Sequence, residues 1–155
     1  LVVEDEPSTQ WHSDAQTGEL IAMMSPLQRA KVVAEQARDA PAVGALFKRV
    51  RIENGEKRQR AEVRFDGVSG CLRTPIGGSS RQTILVVERQ AVRSRLLSPR
   101  EAARLMGVPD SYPVLANYNE AYHLFGDGLV VPVVGYLDRQ LIRPLVIESQ
   151  MAKAA

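Results

Sequence analysis

The pattern of apolar and polar positions divides the chain into a helical part, a β-rich part and a second helical part. Apolar residues at helical spacing predict a helix over 14–24, with Leu20, Ile21 and Met24 on one face. Ser25-Pro26 then predicts a new helix, because serine accepts hydrogen bonds from free amides and proline suits the first helical position. This second helix is expected over 26–38, with an apolar side made of Leu27, Ala30, Ala34 and Ala37.

Shorter apolar runs follow in the middle of the chain. Strands are predicted over 45–52 and 60–65 on either side of Asn54-Gly55, a pair that favours a tight hairpin turn. Further short strands are expected over 70–73, 82–87 and 92–96. Together these runs predict a small, twisted, mostly antiparallel β unit.

Helical signals return at Ser98. The run from Ser98 to Glu101 has the form of a capping box, in which serine and glutamate satisfy free amides reciprocally. A short helix is expected over 118–125, stopped by Gly126-Asp127-Gly128, and a last helix over 132–143 with an apolar stripe of Val133, Leu137 and Leu141. The pattern thus predicts an α+β chain with four parts: a helical connector over 1–44, a β lobe over 45–97, a helical segment over 98–145 and a C-terminal tail over 146–155, frayed after Met151.

Composition and charge narrow the class of protein. Hydrophobic residues make up 45% of the chain, enough for a core, and the single cysteine excludes an internal disulfide. No apolar run approaches a membrane span, no signal peptide is visible, and His12 and His123 lack partners at zinc-ligand spacing, so we expect a cytoplasmic protein without a metal site. The net charge of +2 conceals a basic middle, since residues 48–104 carry 14 Lys/Arg against 6 Asp/Glu. On charge alone such a block fits either a polyanionic partner or a solvated surface with scattered arginines.

Two segments carry a family resemblance. Residues 93–112 read RSRLLSPREAARLMGVPDSY, and residues 125–137 read FGDGLVVPVVGYL. In this order and spacing they resemble the ninth and tenth motifs of the C5-cytosine DNA methyltransferases, with Val108 where an aromatic residue is usual. The resemblance implies the C-terminal part of a Rossmann-like methyltransferase, containing the target-recognition domain. The ninth motif would support that domain rather than perform chemistry.

The segment before the ninth motif is the expected DNA-facing loop. Arginine can bind guanine through two hydrogen bonds, hydroxyl groups can donate to phosphates, and glycines let a backbone approach a bulky partner. In the family a threonine-leucine pair and a glycine cluster lie here, with Cys71 in place of the threonine. The predicted DNA-binding residues are Arg64, Cys71, Arg73, Thr74, Gly77, Gly78, Ser79, Ser80 and Arg81.

The tenth motif would return to the catalytic domain and complete the pocket for S-adenosylmethionine. The resemblance assigns this role to Gly126, Asp127, Gly128 and Val130, with Val131 in support. Asp127 replaces the customary asparagine, so its hydrogen bonding must differ, since a carboxylate does not donate as an amide does.

The residues that make the new bond in this family are expected elsewhere. The nucleophilic cysteine of the family follows a proline, whereas Cys71 follows Gly70 in the recognition region. Glu53-Asn54 is interpreted as turn chemistry, and no Phe-x-Gly-x-Gly donor-binding element occurs in these residues. We therefore predict no catalytic residue in this chain and no methyltransferase activity of the chain alone.

Several alternatives remain open from the sequence. The leading hypothesis is the DNA-recognition part of a cytosine-5 methyltransferase, whose partners are double-stranded DNA and a catalytic domain or subunit. The chain could belong to a single-chain enzyme or be the non-catalytic subunit of a split one. A non-enzymatic sequence-specific DNA-binding module and a structural protein-interaction domain are the other classes. An exposed apolar stripe on the last helix would also favour self-association.

Overall fold

The computed structural model describes residue 3, residues 9–74 and residues 81–154. Two helices, α1 (Asp14–Ala22) and α2 (Pro26–Gln36), precede the strands β1 (Ala42–Glu53), β2 (Glu56–Arg64), β3 (Thr83–Glu88) and β4 (Ala91–Leu96). Helices α3 (Pro99–Leu105), α4 (Tyr118–Asp127), α5 (Val131–Leu137) and α6 (Arg143–Ala154) follow, with a π-helical segment, Asp138–Ile142, between the last two. This mixture of helices and strands confirms an α+β chain.

The strands form one open antiparallel sheet in the order β2-β1-β3-β4. Helices cover both of its faces. Along β3 the side chains alternate, so that Leu85 and Val87 pack with Leu20, Met24 and other residues on the α1–α2 side. Ile84 and Val86 pack with Ala102, Phe125 and their neighbours on the α3–α4 side. The sheet is therefore the middle layer of three.

Each edge of the sheet is covered in part by another stretch of the chain. At the β2 edge, the Met23 carbonyl oxygen accepts from the Ala61 amide at 3.2 Å, and Gln28 Oε1 accepts from the Val63 amide at 3.0 Å. At the β4 edge, the His12 amide donates to the Ser94 carbonyl at 2.9 Å. Covered edges do not template pairing with another sheet.

The hairpin of β1 and β2 extends well beyond the rest of the sheet. Pairing of β1 with β3 ends at Leu46, whereas its pairing with β2 continues to Glu53 and Glu56. The turn is Asn54-Gly55, with φ values of 52° and 82°, as the sequence predicted. We call the two-stranded extension, residues 47–62, the arm; seven residues per strand at about 3.4 Å each make it roughly 24 Å long.

Several predicted elements need correction. The face of α2 that packs on the sheet contains Val32 and Gln28, whereas the predicted apolar side, Leu27, Ala30, Ala34 and Ala37, is exposed. The reason is that α2 covers the strand edge, where Gln28 and Lys31 bond the backbone of Val63. Hydrogen bonding to that edge therefore set the orientation of α2.

The predicted strand over 70–73 does not form. Its backbone contacts side chains and a helix instead: Gln82 Nε2 donates to the Cys71 carbonyl at 3.3 Å, and Gly126 packs against the segment of Arg73 and Thr74. The prediction failed because these long-range contacts, rather than a neighbouring strand, hold the segment.

The helices of the last part also run further than predicted. Helix α4 includes Gly126 and Asp127, and Gly128 follows it in an extended conformation with φ −74° and ψ 164°. The last helical region continues past Pro144 to Ala154, so the predicted tail over 146–155 is largely helical. Proline is tolerated there because it lies in the first turn of α6, directly after a π-helical segment that alters the bonding of the preceding turn.

Candidate nucleic-acid interface

A buried ion pair fixes α3 to the sheet beneath the candidate interface. Arg95 on β4 and Glu101 on α3 are both fully buried, with Nη2 and Oε1 2.7 Å apart. Glu101 also accepts from the Ser98 amide at 2.8 Å, while Ser98 Oγ accepts from the Glu101 amide at 3.1 Å, which completes the predicted capping box. One carboxylate thus caps the helix and neutralises the buried guanidinium.

Trp11 covers the same ion pair from the outside. Its ring lies 4.6 Å from the Arg93 guanidinium carbon and 5.1 Å from that of Arg95, and its backbone pairs with Arg95. An indole face attracts cations, so Trp11 packs between two arginines.

Two tyrosines attach α4 to the sheet, one to the residue just before β3 and one to the residue just after β4. Tyr122 Oη accepts from the Gln82 amide at 2.9 Å, and the Tyr118 hydroxyl donates to the Leu97 carbonyl at 3.2 Å. The two rings stack with centroids 5.8 Å apart. Burial raises the pKa of Tyr118 to about 12 and also raises the pKa of Tyr122.

The C-terminal turn of α4 holds the predicted DNA-facing segment. A methyl group on Gly126 would lie 2.6 Å from the Thr74 backbone nitrogen and 2.8 Å from the Arg73 carbonyl carbon, so only glycine fits this approach. The Thr74 hydroxyl donates a hydrogen bond to Asp127 Oδ1. Two segments that the sequence linked only through a family resemblance therefore touch each other.

The predicted DNA-binding arginines differ in their surroundings. Arg73 is exposed. Arg64 pairs with Asp66, with Nη2 2.6 Å from Oδ2, and these hydrogen bonds hold the pKa of Asp66 below its usual range. Arg81 is half-buried, donates to Asn119 Oδ1 and lies 5.2 Å from the Tyr118 ring centroid. Of these three arginines, Arg73 is the one that is exposed and has no side-chain contact with another described residue.

Other predicted site residues are spread along two segments. The thiol of Cys71 is exposed, and its Sγ donates to the Leu72 carbonyl at 3.3 Å. Gly128 and Val130 are exposed just after α4, and the Val131 amide beside them donates to the Met106 carbonyl at 2.9 Å. Gly77, Gly78, Ser79 and Ser80 lie outside the described residues.

Sequence reasoning did not single out the arm, which carries four exposed or half-buried arginines on one face, namely Arg49, Arg51, Arg58 and Arg60. Their alternate spacing on either side of Asn54-Gly55 was the signal that could have found them, because alternate residues of a hairpin share a face. Outside the arm, a groove of about 540 Å³ lies on the α3–α4 side of the sheet. It is lined mainly by apolar residues, including Trp11, Val43, Val68, Ile84 and Leu105.

Comparison with known proteins finds partial matches to several Type II methyltransferases. Type II methyltransferase M.HhaI of Haemophilus parahaemolyticus is 47% identical over 45 residues, which cover 29% of this chain and 14% of that protein. Type II methyltransferase M.NlaX of Neisseria lactamica is 35% identical over 57 residues, covering 37% of this chain and 18% of that protein. Type II methyltransferase M.HpaII of Haemophilus parainfluenzae is 28% identical over 97 residues, covering 52% and 26% respectively.

The matched stretches therefore span only about a seventh to a quarter of these relatives, between 14% and 26% of their lengths. No solved structure matches the chain significantly. None of the helices in the described part is both long and apolar enough to cross a membrane. The sequence profile of the C-5 cytosine-specific DNA methylases matches residues 6–143, most of the chain, and the chain belongs to that family.

Proposed function

We propose that this chain is the DNA-recognition and cofactor-pocket-completing part of a DNA cytosine-5 methyltransferase. Residues 45–97 form the target-recognition lobe, residues 1–44 lead into it, and residues 98–145 return to a Rossmann-like catalytic domain. In the complete enzyme a methyl group passes from S-adenosylmethionine to C5 of a flipped cytosine in duplex DNA.

The contact of Gly126 and Asp127 with Arg73 and Thr74 is the observation that supports this function best. It places the segment that leads to the Gly77-Gly78 cluster directly against the tenth-motif segment. Arg73, exposed beside this contact, is our choice for the base-reading arginine, because a bidentate hydrogen bond to guanine needs a free guanidinium. Arg81 is better suited to support the segment, since it already contacts α4.

The residues assigned to the cofactor pocket divide into two pairs. The backbone of Arg73 and Thr74 occupies the space beside the Cα atom of Gly126, and the Asp127 carboxylate accepts a hydrogen bond from Thr74. Gly126 and Asp127 therefore hold the DNA-facing segment. Gly128 and Val130 are exposed and fit one wall of a pocket completed by the catalytic domain. S-adenosylmethionine, when bound there, supplies the methyl group.

The apolar helical face of α5 and α6 is the surface we assign to the catalytic domain. Val133, Leu137 and Leu141 are 55%, 45% and 53% exposed, and Leu145 follows at 55%. Contiguous exposed apolar surface of this kind is typical of a protein interface.

Binding to duplex DNA tests the function. We expect the purified chain to bind a duplex with a steep dependence on salt, because Lys and Arg release counterions from phosphates. Arg73→Ala should weaken binding to the preferred sequence by about 1–3 kcal/mol and leave binding to a scrambled duplex nearly unchanged. Anisotropy titrations at two ionic strengths measure both, and equal losses on the two duplexes would exclude Arg73 as a base reader.

Methyl transfer tests the assignment of catalysis to another domain. We expect no transfer of labelled methyl groups from S-adenosylmethionine to DNA by the chain alone, because the Pro-Cys nucleophile does not occur in its sequence. Cofactor-dependent methylation by the purified chain would contradict this assignment. Activity that appears only after a catalytic methyltransferase domain with a Pro-Cys loop is added would support it.

A further inference from the structure

We propose that the arm is a second DNA-contacting element, which binds backbone phosphates beside the site read by the DNA-facing segment. This inference rests on the proposed DNA-recognition function. It concerns residues outside the predicted DNA-binding set and a different kind of contact, because phosphate contacts position the protein and carry no direct sequence information.

The register of the hairpin gathers four arginines on one face of the arm, together with Glu53, Glu56 and Glu62. Arg49 is paired directly with Arg60, and Arg51 with Arg58, so that the four guanidinium groups share a face. Like charges directly opposite each other destabilise a strand pair. Within the arm this face nevertheless carries four arginines against three glutamates, and Lys48 and Lys57 add two positive charges on the opposite face. A polyanion bound to this face would offset that repulsion.

In the free chain, three glutamates pair with these arginines and offset part of their mutual repulsion. Glu62 accepts from Arg51 Nε at 2.8 Å and lies 3.9 Å from Arg49 Nε. Glu53 accepts from Arg60 Nε at 2.8 Å, and Glu56 accepts from Arg58 Nη2 at 3.4 Å. The guanidinium groups of Arg49, Arg51 and Arg58 remain on the surface, with side chains 57%, 50% and 55% exposed. Each can therefore contact phosphate without unfolding the arm.

The position of the arm points to the same duplex that the DNA-facing segment contacts. The arm leaves the sheet after Leu46, which is paired with Thr83, and Arg81 lies two residues before Thr83. By alternation from Ala45, which is opposite Ile84, the arginine face lies on the α3–α4 side of the sheet. Arg81 contacts α4 on that side. Arg81 and the arginine face are thus at one end and on one side of the sheet.

The dimensions of the arm also suit duplex DNA. A two-stranded β ribbon fits the major groove, which is about 12 Å wide, and a ribbon roughly 24 Å long spans several phosphates along a strand. Arginine side chains on one face can reach those phosphates, and the charge-assisted hydrogen bonds are strong.

The test compares three variants of the whole chain in anisotropy titrations on specific and scrambled duplexes. The arm variant is Arg49→Gln with Arg51→Gln. Its matched control is Arg38→Gln with Arg89→Gln, which removes the same charge from exposed side chains at the opposite end of the sheet. The third variant, Glu62→Gln, removes the carboxylate that neutralises the arm arginines. Thermal melts check that all three remain folded.

We expect the arm variant to bind both duplexes about tenfold more weakly than the control variant, with a salt slope lower by about 0.9 for each phosphate that the arm no longer neutralises. Glu62→Gln should bind more tightly than the unsubstituted chain, an effect that a purely structural role of the arm would not produce. Equal binding by the arm and control variants, with Glu62→Gln no tighter, would overturn the inference while leaving the proposed function intact. Failure of the unsubstituted chain to bind any duplex at low salt would instead refute the proposed DNA-recognition function, and the role of the arm with it.

Discussion

Gly126 lies in close contact with the backbone of a segment distant in the sequence. The Cα atom faces Arg73 and Thr74 so closely that no side chain can be added, and the next residue, Asp127, accepts a hydrogen bond from Thr74. A residue in the last turn of a helix thus fixes the course of a segment more than fifty positions earlier in the sequence. The family resemblance assigns Gly126 to a cofactor pocket, which stays a prediction; its contacts give it a positioning role as well.

Substitution of Gly126 measures this contact. Gly126→Ala should destabilise the chain by about 1–3 kcal/mol, because the added methyl group overlaps main-chain atoms that cannot easily move. Gly18→Ala in α1 is the matched control; it has open space around it and should stabilise the chain by about 0.5–1 kcal/mol. Denaturant unfolding reports both values, and equal stability of the two variants would show that the approach at Gly126 is loose.

The Arg95–Glu101 pair gives a second prediction at the residue scale. Glu101→Gln should lower the free energy of unfolding by about 3–5 kcal/mol, since it leaves a buried guanidinium without its counter-charge. The comparison is Asp110→Asn, which breaks the Arg104 ion pair at the surface of the same part of the chain and should cost less than about 1 kcal/mol. Similar losses in the two variants would mean that burial does not determine the effect.

At the scale of elements, the attachment of α4 depends on two phenols, of which Tyr122 is buried and Tyr118 half-buried. The pKa of Tyr118 is raised by burial to about 12, above the value of about 10 expected in the unfolded chain. The folded state therefore retains this proton more strongly than the unfolded state does. The stability that this difference contributes is complete below pH 10 and is lost as the pH rises towards about 12.

Tyr118→Phe tests this linkage. The variant should be less stable at pH 8, because it lacks the hydrogen bond to the Leu97 carbonyl. Its melting temperature should fall less steeply than that of the unsubstituted chain between the ordinary tyrosine pKa of about 10 and the raised pKa of about 12. Parallel melting curves across that range would show that Tyr118 does not contribute to alkaline unfolding.

The sequence predicted those elements whose signals are local. The Ser98–Glu101 capping box, the Ser25-Pro26 start of α2 and the Asn54-Gly55 turn all appear where expected, because caps and turns depend on residues within four positions. Three predictions were wrong: the side of α2 that packs on the sheet, a strand over 70–73, and the end of the last helix before Pro144. The first two depend on long-range partners, Val63 and α4, that local periodicity does not reveal. The third depends on a proline falling in the first turn of a helix.

For the candidate site too, local signals were predictable from the sequence and long-range contacts were not. The segment around Arg73 was identified by its position before a recognised motif, but its contact with Gly126 and Asp127 needed coordinates. The alternate spacing of arginines in the sequence was enough to predict that they share a face of the arm. Only the strand register shows that Arg49 is paired with Arg60 and Arg51 with Arg58.

At the scale of the whole molecule, the three-layer core and the last helices contrast sharply. The sheet and helices α1 to α4 bury two apolar clusters, whereas α5 and α6 have no buried residue among those described. Their apolar side chains, including Val134, Leu137, Leu141 and Leu145, face outward. This surface would associate with a catalytic domain in the complete enzyme and with itself in the isolated chain.

Self-association of the isolated chain follows from that surface. We expect its sedimentation coefficient to rise with protein concentration, and Leu141→Lys to reduce the rise by placing a charge in the apolar face. Gln140→Lys, one residue away on an already polar position, is the control and should sediment like the unsubstituted chain. A concentration-independent monomer would show that the helical face does not associate with itself.

Cys71 has a practical consequence at this scale. It is the only thiol in the sequence, it is exposed, and it lies two residues from Arg73 on the DNA-facing segment. A maleimide fluorophore would therefore label one site without prior mutagenesis. Its emission would report arrival of a duplex at that segment separately from events at the arm, so the order in which the two surfaces engage could be followed in a stopped-flow mixing experiment.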